Sequence, residues 1–294
     1  MQQTEWVRKG IAERYPEIAV EVVRIRTSGD IITDVPLATV GGKGLFVKEI
    51  EEALLQGSVD LAVHSMKDVP TGLPPGLHMG AVCQREDARD VLVSKDGCGL
   101  QGLPDGARIG TSSLRRKAQL LALNRKWEVV PLRGNLDTRI RKLETEGLDA
   151  VIVAAAGMLR MGLRARIAEY LSPNVMLPAI GQGALGIECL QDSEVNDVIS
   201  VLHDDDTAMA VQGERAFLRR LEGGCQVPIA AYGEVDHGNL FLRGMVARLD
   251  GSHLFKGAMH GVDAEGLGEQ LAEALLKQGA DEVLREIYSA SGEV

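Results

Sequence analysis

Two stretches of the chain repeat one pattern of apolar and polar positions. In the first, Phe46, Ile50, Ala53 and Leu54 recur at helical spacing, Gly57 ends the run, and the short apolar segment 60–64 follows. In the second, Ile140 and Leu143 mark a helix, Gly147 stops it, and the apolar segment 149–154 comes next. A helix that delivers a short apolar strand is the building unit of parallel α/β sheets. The pattern therefore predicts two similar α/β lobes, the second opening near Ala107-Arg-Ile-Gly110. The glycine-rich run 178–187 predicts a crossing back to the first lobe. From about Thr207 the pattern changes to a helix at 208–221, alternating strands at 227–232, 240–247 and 253–260, and a closing helix at 264–288. Strands followed by a helix predict a third, α+β domain. The expected division is 1–84 with 184–202 for the first lobe, 88–178 for the second, and 206–294 for the third domain.

Composition narrows the picture. A chain of 294 residues with 45% hydrophobic and 25% charged residues can bury a core in each of three domains. No apolar run reaches membrane-spanning length, and Arg8, Lys9 and Glu13 interrupt the place where a secretory leader would be apolar, so no membrane association and a cytoplasmic location are expected. Cys83, Cys98, Cys189 and Cys225 lie far apart, with no CxxC pair and no histidine cluster at ligand spacing, which argues against a metal site and a disulfide framework. The net charge of −10 hides an asymmetry. Residues 108–166 contain 13 Lys and Arg against 5 Asp and Glu. Such a segment in an acidic protein implies an anionic partner, although Arg125, Lys126, Arg141 and Lys142 read as solvated helix faces. Aromatic residues are only 3% of the chain, leaving few stacking platforms for nucleic acid, which is not expected as a partner.

Candidate chemistry gathers at strand ends. Gly110-Thr111-Ser112-Ser113-Leu114-Arg115-Arg116 follows a predicted strand and opens a helix, where hydroxyls cap and free N–H groups attract anions. Arg115 and Arg116 face the positive end of that helix dipole, a cost that a bound anion would offset. Arg133 to Arg139 repeats the design after the strand predicted at 128–132, and Arg160 follows the strand of the repeat. Ligands of open α/β sheets bind at such strand ends. His64-Ser65-Met66-Lys67-Asp68-Val69-Pro70 holds the same place in the first lobe, with Asp68 open to two readings, a general acid/base or an Asx turn before Val-Pro. Val40 to Phe46 is a glycine-rich loop with one lysine, Lys43, and lacks the Walker spacing. Cys225 follows Gly223-Gly224, which strip side-chain cover from the thiol; it is either a sulfur placed to be reached or a small core residue at a strand start.

Taken together, VGGKGLFVKE (40–49), DLAVHSMKDVP (60–70), GTSSLRR (110–116), LRGNLDTR (132–139), LPAIGQGALGIE (177–188) and LEGGCQVP (221–228) resemble the porphobilinogen deaminase (hydroxymethylbilane synthase) family. The resemblance covers nearly the whole chain in the family's order. It implies two α/β lobes like those of type II periplasmic binding proteins plus a C-terminal α+β domain. It further implies a transferase that joins four porphobilinogen units, each with loss of ammonia, into hydroxymethylbilane on a covalently held dipyrromethane cofactor. By motif, Cys225 is the attachment site and Asp68 the catalytic carboxylate. Ser65, Lys67, Asp68, Thr111, Ser112, Ser113, Arg115 and Arg116 would bind the cofactor. Arg133, Arg139, Arg160 and Gln182 would handle substrate and the linear pyrrole intermediates, and Lys43 and Phe46 would belong to a lid loop. A monomer is implied. A two-lobed binding protein for a polycarboxylate ligand would also explain the repeat and the anion sites, but it gives Cys225 no task.

The chain departs from the family pattern at its start. A strand and an R-x-S-x-L-A loop, expected ahead of the helix that begins near Gln2, are absent from the sequence. An omitted interior strand would leave backbone groups unpaired beside a gap. The expectation is a misplaced start or a truncated chain, unstable or inactive as written. Thr39 also stands where some relatives carry a lysine.

Overall fold

The described residues, 2–27, 47–222 and 227–291 of a computed structural model, form three sheets, the first two joined by two crossover segments. Helix α1 (Gln2–Arg14) buries Val7 and Ile11, one turn apart, and α2 (Lys48–Leu55) buries Leu54. Strand β1 (Leu61–Ser65) alternates in burial, so Ala62 and His64 face inward. A single 3-10 turn, Met66–Asp68, ends it, and β2 (Leu77–Val82) follows.

The first crossover leads into the second lobe. Strand β3 (Asp90–Ser94) is buried throughout. After it come β4 (Arg108–Gly110), α3 (Leu114–Leu123), β5 (Glu128–Val130), α4 (Leu136–Thr145), β6 (Ala150–Ala154), α5 (Ala155–Arg160) and β7 (Glu169–Leu171). The strand order is β5-β4-β6-β3-β7, with β4 parallel to β5 and β6, and β3 antiparallel to β6 and β7. Because side chains alternate across a strand, the apolar runs feed two cores at once. Leu92, Ile109, Leu120 and Ile152 pack on one face, and Val91, Val93, Val151, Val153 and Leu143 on the other. The strand predicted at 128–132 stops at Val130, and Leu132 pairs instead with the Ser112 hydroxyl, which donates to its carbonyl and accepts from its amide.

The second crossover returns the chain as β8 (Leu185–Leu190), which lies between β1 and β2 and runs antiparallel to both. The parallel arrangement expected for the first lobe is therefore not seen among its described strands. The crossover delivers β8 at the carboxyl end of β1, pairing Ser65 with Leu185, so the two strands must run in opposite directions. Helix α6 (Val195–Ile199) closes this lobe, whose core joins Val7, Ile11, Ala81, Leu185, Ile187 and Ile199.

The third domain opens with α7 (Asp205–Arg220), capped by the Asp204 carboxylate, which accepts from the Thr207 amide. Strands β9 (Ile229–Asp236), β10 (Asn239–Ala247) and β11 (Leu254–Gly261) form an antiparallel meander, and α8 (Ala264–Leu275) and α9 (Asp281–Ser291) complete the α+β layer. The single helix predicted at 264–288 is broken at Gly279, whose φ of 105° lies outside helical space and suits a residue without Cβ. Phe217 is fully buried beside Gly244, where an added Cβ would come within 2.7 Å of its ring. Among the described residues no helix is long and apolar enough to cross a membrane. Phe217→Ala is expected to lower unfolding free energy by about 3–5 kcal/mol, measured by urea denaturation, because that ring fills the centre of this core.

Candidate active site

The site is built around a buried carboxylate that the sequence pattern does not single out. Asp90, at the start of β3, has no exposed surface. It accepts from Arg115 Nη1 at 2.7 Å, from Arg116 Nε and Nη2 at 3.1 and 2.7 Å, and from Gln182 Nε2 at 2.9 Å. Burial alone would raise its pKa, but the two guanidiniums outweigh that cost and hold it well below the usual carboxylate range. The anion expected to relieve the arginines at the start of α3 is thus supplied by the chain itself. One carboxylate against two guanidiniums leaves this junction with a surplus positive charge.

Above the junction, between the lobes, lies a cavity of about 420 Å³. Val47, Ile50 and Val63 line its apolar side, and Ser65, Lys67, Asp68, Arg160 and Gln182 its polar side. Asp68 is exposed and accepts no hydrogen bond from a described residue. Lys67 is pushed below its usual value by burial; Asp68 and Asp90 act against the shift, and Arg116 and Arg115 add to it. Arg160 donates Nη2 to the Gly183 carbonyl at 2.9 Å, and burial lowers its pKa against the opposing charge of Glu86. Gln182 donates to the Ala88 carbonyl and Asp90, leaving its buried Oε1 without a partner among the described residues. Gly181, at φ 68°, brings the second crossover against the Asp68 turn, and a Cβ there would meet Met66 at 2.8 Å.

The remaining predicted residues divide. Arg139 lies outside the cavity lining, donates Nε to the Gly134 carbonyl at 2.8 Å, and is lowered by burial and then by Arg116, with Asp68 opposing. Its field reaches the site. Arg133 is half-buried on the loop before α4. Thr111 is buried and its Oγ1 accepts from the Ser113 amide at 3.2 Å. Ser113 caps α3, Ser112 is committed to Leu132, and Arg115 and Arg116 to Asp90, so none of these lines the cavity. Lys43, Phe46 and Cys225 lie outside the described residues. Two further features escape the sequence pattern. His64, which also lines the cavity, places Nε2 2.7 Å from the carboxylate of buried Glu188; a glutamate inside the apolar run of β8 was the available signal. Glu214 of α7, also fully buried, accepts from Arg85 at 2.6 and 3.0 Å and from the Gly181 and Gly233 amides, pinning both crossovers to the third domain. Among the described residues no cluster of His, Cys, Asp or Glu is placed to hold a metal.

Half-buried cations near a polar cleft, with Lys67, Arg139 and Arg160 outside ion-pair distance of any described carboxylate, define a two-lobed protein whose cleft carries uncompensated positive charge. The family described as "Porphobilinogen deaminase, dipyromethane cofactor binding domain" matches residues 1–197, and "Porphobilinogen deaminase, C-terminal domain" matches residues 208–277. The porphobilinogen deaminase of Syntrophotalea carbinolica is 56% identical over 285 residues, covering 96% of this chain and 90% of that protein. That of Geobacter metallireducens is 55% identical over 289 residues, covering 97% and 91%. A solved structure of a probable amino-acid ABC transporter extracellular-binding protein from Bacillus subtilis aligns with a TM-score of 0.38 at 14% identity over 68% of this chain and 79% of that one, a likeness too weak to bear on fold or ligand. The chain belongs to the porphobilinogen deaminase family.

Asp90→Asn removes the counter-charge from two buried guanidiniums and is expected to cost roughly 3–5 kcal/mol at neutral pH. Because the folded pKa of Asp90 lies below its unfolded value, its contribution is present in full above about pH 3.9 and is lost as the pH falls below that. Urea unfolding at neutral pH and near pH 3 should show the variant's deficit shrinking at the lower pH.

Proposed function

We propose that the cleft between the lobes carries the reaction of the family, joining four porphobilinogen units, each with loss of ammonia, into hydroxymethylbilane. The observation that supports this reading most is the set of cations, Lys67, Arg139 and Arg160, left without carboxylate partners around a cavity that also presents Asp68. Each porphobilinogen brings an acetate and a propionate, so every step adds two carboxylates that these cations can hold.

The residues also suit a dipyrromethane. Its carboxylates match Lys67 and Arg160, and its pyrrole N–H groups match the unpartnered Gln182 Oε1 and the open Asp68 carboxylate. Ser65 borders the same space, while Thr111, Ser112, Ser113, Arg115 and Arg116, outside the lining, are assigned to cofactor binding through the positive charge of the Asp90 junction. Cys225 is assigned as the attachment point through a thioether. When bound, the dipyrromethane supplies the pyrrole carbon to which the first porphobilinogen is joined.

Asp68 has two tasks toward porphobilinogen. Its carboxylate accepts the pyrrole N–H, and its charge offsets the cation that remains as the C–N bond breaks and ammonia leaves. Lys67 keeps the neighbouring carboxylates in place, and Arg133 and Arg139 take those of the lengthening chain. Lys43 and Phe46 are assigned to a lid over the same opening. The apolar side, Val47, Ile50 and Val63, limits water near the forming cation. One sheet in each unit supports the division into 1–84 with 184–202, 88–178 and 206–294. Unbridged Cys83, Cys98 and Cys189 support a reducing compartment such as the cytoplasm, and we read the chain as a monomer.

Intact mass under denaturing conditions tests the assignment. The purified chain should exceed its sequence mass by two pyrrole units, and Cys225→Ser should not; a folded chain of bare mass counts against the reading. Asp68→Asn should keep the excess mass while kcat for porphobilinogen consumption falls about 10²–10⁴-fold.

A further inference from the structure

The turn that carries Asp68 is held very unequally on its two sides. On the amino side Ser65 pairs with Leu185, and the Met66 amide donates to the Ala184 carbonyl at 3.0 Å. On the carboxyl side the turn offers only the Val69 amide to the Met66 carbonyl at 3.4 Å, longer than an ordinary N–H···O bond. Pro70 has no amide to donate, and the next strand begins only at Leu77. The two carbonyls that follow Asp68 are taken by another domain. Arg215 of α7 donates Nη1 to Val69 at 3.1 Å and Nη2 to Pro70 at 2.5 Å.

These two carbonyls are the hydrogen-bond acceptors of Arg215 among the described residues, and no described carboxylate lies within ion-pair distance of it. A half-buried arginine usually answers a carboxylate, which compensates its desolvation better than neutral acceptors do. Burial and then the like charge of Arg219 push this guanidinium below its usual value. The rigid fork instead matches two successive carbonyls, an arrangement that fixes geometry more than it stabilises. The helix beneath is itself anchored. Glu214, the preceding residue, is bound to Arg85 and the Gly181 amide, and Val211, one turn earlier, packs with Met66 and Val69. Along the chain, α7 ends at Arg220, and Cys225 follows in the sequence.

We propose that Arg215 is a positioning residue for Asp68: by holding the Val69 and Pro70 carbonyls it sets the carboxylate in the cleft and ties the catalytic turn to the helix that leads to the attachment cysteine. The inference rests on the reading of Asp68 given above.

The test uses the full-length chain with its covalent dipyrromethane, comparing wild type, Arg215→Met, Arg215→Lys, Asp68→Asn, and Asp68→Asn combined with each Arg215 change. Arg215→Met should retain the excess mass and a KM for porphobilinogen within about twofold, while kcat falls about ten- to a hundredfold, the range expected when a reacting group is misplaced by up to an ångström. Arg215→Lys should recover part of kcat, since an ammonium can reach one of the carbonyls. In the Asp68→Asn background either Arg215 change should have little further effect on kcat, because both act through one carboxylate. Unchanged kcat in Arg215→Met, loss of the excess mass, or losses that multiply independently with Asp68→Asn would each overturn the proposal. If Arg215→Met does not fold, the Arg215→Lys cycle with Asp68→Asn decides by the same criterion. Failure of the underlying reading looks different: wild type itself would lack the excess mass or consume no porphobilinogen.

Discussion

Asp90 brings one negative charge to the point where the arginines of α3 and the amide of Gln182 converge, and the cleft takes its shape from that junction. Three segments far apart in the chain meet on one carboxylate: the first strand after the outgoing crossover, the first turn of α3, and the returning crossover. A buried ion pair of this kind is not a strong source of net stability, because desolvation consumes most of its Coulombic gain. Its effect is to allow few alternative arrangements, since any shift leaves a guanidinium buried without a counter-charge. The junction next to the cavity is consequently held in few arrangements and still carries a positive surplus.

Glu214 does for the third domain what Asp90 does for the second lobe. Its oxygens accept from Arg85 on the outgoing crossover, Gly181 on the returning one and Gly233 on β9. Arg85 also lies against the Tyr232 ring, which meets Arg243 as well, so the contact extends across the third sheet. The chain thus places internal carboxylates where segments must be locked together and leaves Lys67, Arg139 and Arg160 outside ion-pair distance of any described carboxylate. Charge balance separates scaffold from site more clearly than residue type does, for arginines occur in both.

Much of this was legible in the residue pattern. The apolar runs at 60–64 and 149–154, each following a helical spacing and a glycine, became β1 and β6, and the shift in pattern near Thr207 became the third domain. The motif residues Ser65, Lys67, Asp68, Arg160 and Gln182 gather on one cavity because each sits at a strand end or a crossover. Less visible was the use each arginine is put to. Arg115 and Arg116 read as ligand donors because the acid that answers them is some 25 residues away in sequence. Equally hidden were the His64–Glu188 pair and the break at Gly279, which depend on what packs opposite and not on local preference.

Local chemistry, by itself, determined most of the elements, the family and which residues are candidates for the reaction, because periodicity, glycine placement and short motifs are properties of neighbours along the chain. Tertiary structure alone decided strand direction in the first lobe, which cations remain available to a ligand, and how the Asp68 turn is held from another domain. Those outcomes rest on desolvation and on hydrogen-bond partners brought together across more than a hundred residues, as with Arg215 and Val69, and no local pattern encodes them.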